Sequence, residues 1–332
     1  MATDRVFLTG ASGFVGSHVL RELLARGFAV RALVRAGTLA DGAPALPKDG
    51  RLELVTGDLR RAGDFARKVN GCRYVVHCAA LYSFAARDRA GIDSVNVTGT
   101  AGLMAAAGLA GVDRVVLTSS SATVGHERPD GRPADETCYA DTDGGYHGSK
   151  VKQERAAFAG RAPVVALLPT APVGPGDWKP TPTGKLIVDF LRGRIGAKAP
   201  GRGGMNLVAV EDVARAHAVA LERGHIGERY VIGGENLSMD EVWLMLAGAT
   251  GKPMPSWRVP YAVALAVAYA DEVRCSLRRD AVPFAPLEGV RMSRERMFAD
   301  SSKAMRELDF RPTPVREAIE RAVAWYRDRK PE

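Results

Sequence analysis

Thr9-Gly10-Ala11-Ser12-Gly13-Phe14-Val15-Gly16 decides the fold of this chain. It comes after a short buried-type run, Arg5 to Thr9, and opens a segment from Phe14 to Arg26 with apolar residues at 15, 19, 20, 23 and 24. The order is strand, glycine turn, helix. Gly10 permits the tight turn, Gly13 lets backbone N–H groups approach a pyrophosphate, and Gly16 allows close contact between helix and sheet. Ser12, Phe14 and Val15 belong to the same cradle. The spacing G-x-x-G-x-x-G differs from G-x-G-x-x-G, and a glycine-rich turn alone is only a strand–helix junction. The strands and helices after it in the chain give the turn its meaning.

Working outward, further strands are predicted at 28–34, 51–55, 74–77, 114–118 and 164–168. Helices are predicted at 64–69, 92–109 and 146–160, and Gly37 to Gly50 reads as a loop. Continuous apolar strands separated by helices mean a parallel sheet buried on both faces, a doubly wound α/β fold. After Pro169 the pattern loosens, and Ala171 to Gly184 holds four Pro and three Gly. Helices are expected at 185–193, 211–222, 239–249, 260–277, 301–308 and 314–327, with short strands near 206–210 and 228–232. The reading is a dinucleotide-binding domain over 1–170, to which elements near 206–232 return. Residues 171–332 form mainly a smaller, C-terminal substrate lobe.

Composition narrows the class. The 332 residues are 46% hydrophobic and 25% charged, an ordinary globular balance that excludes a disordered or collagen-like chain. Four scattered cysteines with no C-x-x-C pair argue against a disulfide framework and against a zinc or other metal site. No signal peptide is expected before Val6-Phe7-Leu8. The longest apolar stretch, Val259 to Ala270, falls short of the roughly 20 residues that span a bilayer. A cytoplasmic protein without a membrane span is expected. The net charge of +8 suits a nucleic-acid or membrane-surface partner, a solvated basic surface, or a pocket for a phosphorylated cofactor. The basic residues are dispersed without interleaved aromatics, so no nucleic-acid partner is expected.

The second strand bears on which dinucleotide is held. An acid at its end would bind the ribose 2′-OH of NAD, whereas an Arg there would pair with the 2′-phosphate of NADP. The strand reads Val30-Arg31-Ala32-Leu33-Val34-Arg35, with no acid before Asp41 and with Lys48 further along. Arg35 stands where the acid would be, which favours NADP(H) while leaving NAD(H) admissible. Asp58-Leu59 and Cys78-Ala79-Ala80-Leu81 come just after the third and fourth strands, where adenine and ribose contacts fall.

Tyr146-His147-Gly148-Ser149-Lys150 puts Tyr and Lys at i and i+4, on one helix face. A Tyr phenol titrates near 10, and a neighbouring ammonium favours the phenolate and makes it a usable base. The fifth strand ends Leu117-Thr118-Ser119-Ser120-Ser121 at the same sheet edge. A hydroxyl there can bond the substrate oxygen while Tyr146 exchanges its proton. The serine run does not itself say which hydroxyl acts.

With these residues in hand the sequence resembles an extended short-chain dehydrogenase/reductase, the NAD-dependent epimerase/dehydratase family, over nearly its whole length. The family's glycine loop matches Gly10, Gly13 and Gly16, and its Y-x-x-x-K matches Tyr146 and Lys150. Three residues on from Leu117, its catalytic hydroxyl falls on Ser120, with Ser121 as the other candidate. Its helix asparagine resembles Asn96, and its nicotinamide-side loop resembles Pro169 to Gly176, including Val173. The closest likeness is to the hopanoid-associated sugar epimerases, similar in turn to dihydroflavonol 4-reductases. It is carried by Pro180-Thr181-Pro182-Thr183-Gly184-Lys185, Gly233-Gly234-Glu235-Asn236-Leu237 and Gly289-Val290-Arg291-Met292.

The resemblance implies a Rossmann-type sheet, hydride chemistry, and a homodimer as many relatives form. It also implies roles. Tyr146 is the general acid/base, Lys150 lowers its pKa and binds ribose, Ser120 polarises the substrate oxygen, and Asn96 helps a proton relay. One departure bears on substrate. Nucleotide-sugar epimerases carry an Arg where Met205 stands here, and a thioether cannot neutralise a diphosphate. Arg192, Arg194 or Arg202 would have to replace it.

Three functions are compatible with these residues. They are a carbonyl reductase or alcohol dehydrogenase, a sugar epimerase or dehydratase with retained cofactor, and a dinucleotide-sensing protein without turnover. The substrate is a small carbonyl, sugar or lipid-like molecule. Ser121, Trp178 and Met205 are placed near it, with Lys179 beside Trp178. His77 reads as a satisfied core or cofactor-side histidine, and His126 and His147 as loop and helix residues flanking the site. Val259 to Val273 is expected in the lobe core or as an apolar wall for the substrate, and Arg278-Arg279 as a solvated helix end.

Overall fold

Val6, Phe7 and Leu8, Val75 and Val76, Val115 to Leu117, and Val164 to Leu168 are all buried. Runs of this kind with no polar alternation can only be satisfied by cover on both faces. The computed structural model describes residues 4–37, 45–82, 89–142, 145–198, 201, 203–278 and 287–329; at Arg89, Gly145, Tyr146, Glu288 and Met292 the description stops at the backbone. Asp41, Arg202 and Arg279, and the side chains of Tyr146 and Met292, therefore lie outside the described residues.

The strands are β1 (Arg5–Thr9), β2 (Ala29–Val34), β3 (Leu52–Thr56), β4 (Tyr74–His77), β5 (Arg114–Thr118), β6 (Val164–Pro169), β7 (Ala171–Val173), β8 (Gly204–Ala209), β9 (Arg229–Ile232), β10 (Glu235–Ser238) and β11 (Arg296–Met297). Seven of them form one parallel sheet in the order β3-β2-β1-β4-β5-β6-β9. The chain reverses its direction of travel across the sheet between β1 and β4. A crevice opens there beyond the carboxyl ends of the strands. β8 centres a second, smaller sheet, antiparallel to β10 and parallel to β7 and β11.

The helices are α1 (Phe14–Ala25), α2 (Arg89–Asp93), α3 (Gly99–Ala110), α4 (Gly145–Phe158), α5 (Pro182–Leu191), α6 (Val210–Arg223), α7 (Met239–Thr250), α8 (Tyr261–Leu277), α9 (Leu287–Met292), α10 (Ser302–Glu307) and α11 (Val315–Asp328). On one face of the large sheet Val19, Leu20 and Leu23 of α1 meet Val213 and Ala220 of α6. On the other, Leu103, Met104 and Ala107 of α3 and Ala157 of α4 cover β1, β4 and β5. A third core joins α5, α7 and α11 around Trp243, which stacks on Phe190 at 5.9 Å. Local signals open these lobe helices: Thr181 caps α5 with Pro182 behind it, and Ser238 and Glu241 form a reciprocal capping box on α7.

The differences from expectation have local causes. The segment 64–69 is two 3₁₀ turns, Ala62–Asp64 and Ala66–Lys68, because so short a run cannot repay α-helix nucleation. The helix expected at 92–109 is interrupted by a π-helical turn, Ser94–Thr98. β7, β10, β11 and α9 span six residues or fewer and carry no readable period. α8 is largely exposed rather than lobe core, with only Ala268 and Asp271 buried. No described helix is long and apolar enough to cross a membrane, and no metal-binding group of three or more His, Cys, Asp or Glu occurs among the described residues.

Candidate active site

The glycine loop fills the crevice at the β1–β4 reversal. Gly10 has φ +80°, and a Cβ there would stand 2.7 Å from the Ala79 backbone nitrogen. A Cβ on Gly16 would stand 2.0 Å from the Gly10 carbonyl oxygen. The chain can close this tightly only with hydrogens in those places. Gly13 N–H donates to the Gly10 carbonyl at 2.9 Å, which sets the turn. α1 then starts with no side-chain cap and no acid in its first turn, so its positive end is left for an anion. The backbone of Ser12, Phe14 and Val15 lies along this end. These features fit the pyrophosphate of a dinucleotide.

Arg35 lies just past the end of β2, exposed, with no hydrogen bond or ion pair among the described residues. Asp58, just after β3, is claimed by Arg60 at 2.5 Å. That bond holds the Asp58 carboxyl down at about 2, with Arg35 a lesser contributor. Two guanidiniums therefore flank a single carboxylate. Leu59 is buried against the α3 face, Ala79 touches the glycine loop, and Ala80 is exposed at the crevice.

α4 carries Tyr146 and Lys150 one turn apart. The described part of the pair is Lys150, which is fully buried. Its ammonium donates to the Thr118 carbonyl at 2.9 Å and to the Gln153 side-chain oxygen. Burial brings its pKa down to about 8, against the opposing pull of Glu154 and Cys78. The polar chain continues inward. Gln153 donates to Thr100 Oγ1 at 3.1 Å, Thr100 Oγ1 lies 2.8 Å from His77 Nε2, and His77 Nδ1 lies 2.7 Å from Thr9 Oγ1. His77 is thus satisfied on both ring nitrogens inside the core. Burial, then Lys150, drive its pKa to about 3.

Beside Lys150, Glu154 binds the serine loop. Its Oε2 accepts the Ser119 hydroxyl and, at 3.1 Å, the Thr123 hydroxyl, while Oε1 pairs with Arg229 Nε at 2.8 Å. Arg229 also donates to the Glu136 and Cys138 carbonyls at 2.8 and 3.0 Å. Ser119 is thereby committed to structure. Ser120 accepts the Ala122 N–H at 3.1 Å, which leaves its own proton to donate, and Ser121 begins the next 3₁₀ turn.

The other candidates fall in several places. Asn96 is fully buried in the π-helical turn. Its amide accepts Leu81 N–H at 2.7 Å and donates to the Leu81 carbonyl at 3.0 Å and to Ser149 Oγ at 3.2 Å, clamping the loop after β4 to α4. Pro169 and Val173 are buried at the end of β6 and in β7. Trp178, read from sequence as a substrate residue, donates its indole N–H to the Ser12 carbonyl at 3.2 Å, on the cofactor side, with Lys179 over its ring. Met205 in β8 is half-buried against the lobe core. His126 pairs with Glu295 at 2.9 Å, and Arg194 with Asp189 at 3.6 Å.

The model of the NAD-dependent epimerase/dehydratase family matches residues 6–233. The chain belongs to that family. Among its relatives, a putative dihydroflavonol 4-reductase of Synechocystis sp. is 38% identical over 98% of this chain and 95% of the other. The crystal structure of gox2253 is 36% identical with a TM-score of 0.82, covering 98% of both chains. That of MoeE5 in complex with UDP-glucose and NAD is 26% identical with a TM-score of 0.76, covering 98% of this chain and 99% of that one. The protein is accordingly an NAD(P)-dependent enzyme of the extended short-chain dehydrogenase/reductase type.

Within this family frame, sequence reasoning missed Arg60, Thr100, Gln153, Glu154 and Arg229. Glu154 alone had a local signal, since Tyr146, Lys150 and Glu154 recur every fourth residue on one helix face.

Proposed function

We propose that the protein is an NADP(H)-dependent oxidoreductase, acting in the cytoplasm, that moves a hydride between the nicotinamide and a secondary alcohol or ketone carbon of a small molecule. The observation that carries this reading is Arg35, a guanidinium just past β2 with no hydrogen bond or ion pair among the described residues, while the nearby carboxylate of Asp58, which it helps to hold ionised, is already paired with Arg60. A 2′-phosphate supplies the anion that Arg35 lacks, with charge-assisted, bidentate geometry. The residues fit the cofactor, which supplies or receives the hydride.

The protein's own part is positioning and proton transfer. The glycine loop and the start of α1 hold the pyrophosphate. Lys150 orients the nicotinamide ribose and keeps the Tyr146 phenol acidic. In the reducing direction Tyr146 gives its proton to the substrate oxygen as the carbonyl carbon gains the hydride, and in the oxidising direction the phenolate takes that proton back. Ser120 donates to the same oxygen, with Ser121 the other candidate hydroxyl. In this reading residues 1–170 serve the dinucleotide and 171–332 mainly the substrate.

A second reading is a sugar or nucleotide-sugar epimerase or dehydratase that retains its cofactor. The bond from Trp178 to the Ser12 carbonyl favours it, because it straps the pyrophosphate loop. Met205 weighs against it by placing an apolar group where a diphosphate would need a cation.

The test begins with purified, unsupplemented protein, denatured so that any released dinucleotide is identified by mass, followed by NADPH and NADH titrations. The reductase reading expects an empty, NADPH-preferring site. It also expects Arg35→Asp to weaken NADPH far more than NADH, and Tyr146→Phe to abolish turnover while leaving NADPH affinity intact. A stoichiometric, tightly held NAD would overturn it in favour of the second reading.

A further inference from the structure

α8 has an outer surface unlike that of a solvated helix. Its packed stripe runs through Ala264, Ala268, Asp271 and Cys275 toward α9. Its outward stripe, at the same helical period, is Ala262, Val263, Ala266, Ala270, Val273 and Leu277, all exposed. Val263, Val273 and Leu277 are 52%, 58% and 80% exposed, with Val267 and Tyr269 exposed at the flanks. A helix with one face in a core ordinarily turns charge to the water on the other. Six residues make this stripe along the sixteen from 262 to 277, and none of the six carries a polar side chain, Glu272 and Ser276 being exposed beside it; an exposed apolar surface of this kind marks a contact site.

The rim shows what it contacts. Arg274, Arg278, Arg291 and Arg294 are described around α8, against two acids of the helix, the exposed Glu272 and Asp271, which pairs with Arg274 at 2.6 Å. Arg291 is held at the edge of the outward face, donating to the Tyr269 hydroxyl at 3.1 Å, whereas Arg294 lies 4.8 Å over the ring of Tyr261, which continues the packed stripe. A second copy docked face to face would set these arginines against their own kind, at a cost. An anionic lipid surface satisfies both parts, with the apolar stripe at the acyl boundary and the guanidiniums among the phosphates. The chain's net charge of +8 acts in the same direction. At 17 residues α8 would lie in the interface plane rather than cross it.

We infer that the outward face of α8 docks the protein on an anionic membrane surface. This goes beyond the reductase reading and is tested without it. Full-length protein is sedimented with vesicles of phosphatidylglycerol and phosphatidylcholine, and with phosphatidylcholine alone, at low and high salt. The variant is V263D/V273D, with NADPH binding and thermal unfolding as fold controls. The expected result is sedimentation with the anionic vesicles that weakens with salt and on neutral lipid. It falls at least tenfold in the variant, whose NADPH affinity and unfolding stay unchanged. The inference is overturned if wild-type protein stays in the supernatant, or if the folded variant sediments as wild type does. It is also overturned if sedimentation velocity shows a dimer that V263D/V273D dissociates.

Discussion

Glu154→Gln tests how the site is tensioned. The Glu154 and Arg229 side chains are 7% and 6% exposed, so their pair works at low dielectric. Glutamine keeps the shape. Its carbonyl can face Arg229, and its amide can face Ser119 and Thr123, whose hydroxyls then accept instead of donate. What disappears is the charge. Arg229 retains the Thr123, Glu136 and Cys138 carbonyls, so it stays hydrogen-bonded but uncompensated. Breaking a buried pair from one side costs about 3–5 kcal/mol, and the remaining carbonyls put this case at the lower end, about 3. With an unfolding entropy of about 2.1 cal/mol/K per residue, a chain of 332 residues should lose about 4 °C in melting temperature.

The same change acts on Lys150, whose pKa of about 8 is supported by Glu154 against burial. Without that support the ammonium gives up its proton at lower pH. The pH above which NADPH affinity falls should therefore move down in Glu154→Gln. Fluorescence titration of NADPH from pH 6.5 to 9.5 reads this without a substrate, and differential scanning calorimetry reads the stability. A melting loss with the alkaline fall unmoved, or moved up, would refute the coupling and leave Glu154 as packing only.

The same geometry sets other outcomes. Gly16→Ala places a methyl 2.0 Å from the Gly10 carbonyl oxygen, so the loop must shift. At an overpacking cost of about 1–3 kcal/mol, NADPH affinity should drop about tenfold or more, and an unchanged dissociation constant would contradict the cradle. Burial holds His77 and His217 at about 3 and about 4, so the unfolded chain binds their protons first as pH falls below about 6.5. Stability should be lost toward pH 4 at about 1.4 kcal/mol per pH unit for each, with a shallower slope in His217→Gln. Urea unfolding that is flat from pH 7 to 4.5 would contradict this. Trp178→Phe removes the indole bond to Ser12 and should speed NADPH release in stopped flow, and an equal rate would show that the strap does not hold the loop.

The legible features are those whose cause is local. Gly10 to Gly16 reads as a cradle because strand, turn and helix are contiguous, and Tyr146 and Lys150 share a face because i and i+4 do on any helix. Arg229 cannot be read this way, since its partners Glu154 and Thr123 lie 75 and 106 residues away, joined only by β9 completing the sheet. Asn96 is named as a relay residue only by resemblance. Its bonds to Leu81 and Ser149 are not legible, because the chain inserts a π-helical turn that no periodicity announces. α8 reads as core because its apolar content suggests burial. The rule runs only one way, from buried to apolar.

The chain of hydrogen bonds behind Lys150 has a direction that its donors and acceptors fix as far as Thr100. An ammonium can only donate, so Gln153 must turn its oxygen to Lys150 and its amide to Thr100. Beyond Thr100 two arrangements satisfy the same distances. With the ring proton on Nδ1, Thr100 donates to His77 Nε2, and Thr9 Oγ1 accepts both from Nδ1 and, at 3.2 Å, from the Ala79 N–H; with the proton on Nε2, Thr9 donates to Nδ1 and Thr100 accepts from both sides. Each arrangement leaves one threonine proton without an acceptor among these bonds, and a doubly protonated ring would leave both so. A long-range proton–nitrogen-15 correlation spectrum at pH 7 should therefore show His77 neutral, and its tautomer tells whether the bonds run unbroken from Lys150 to the strand that carries the glycine loop. An imidazolium spectrum would refute the arrangement.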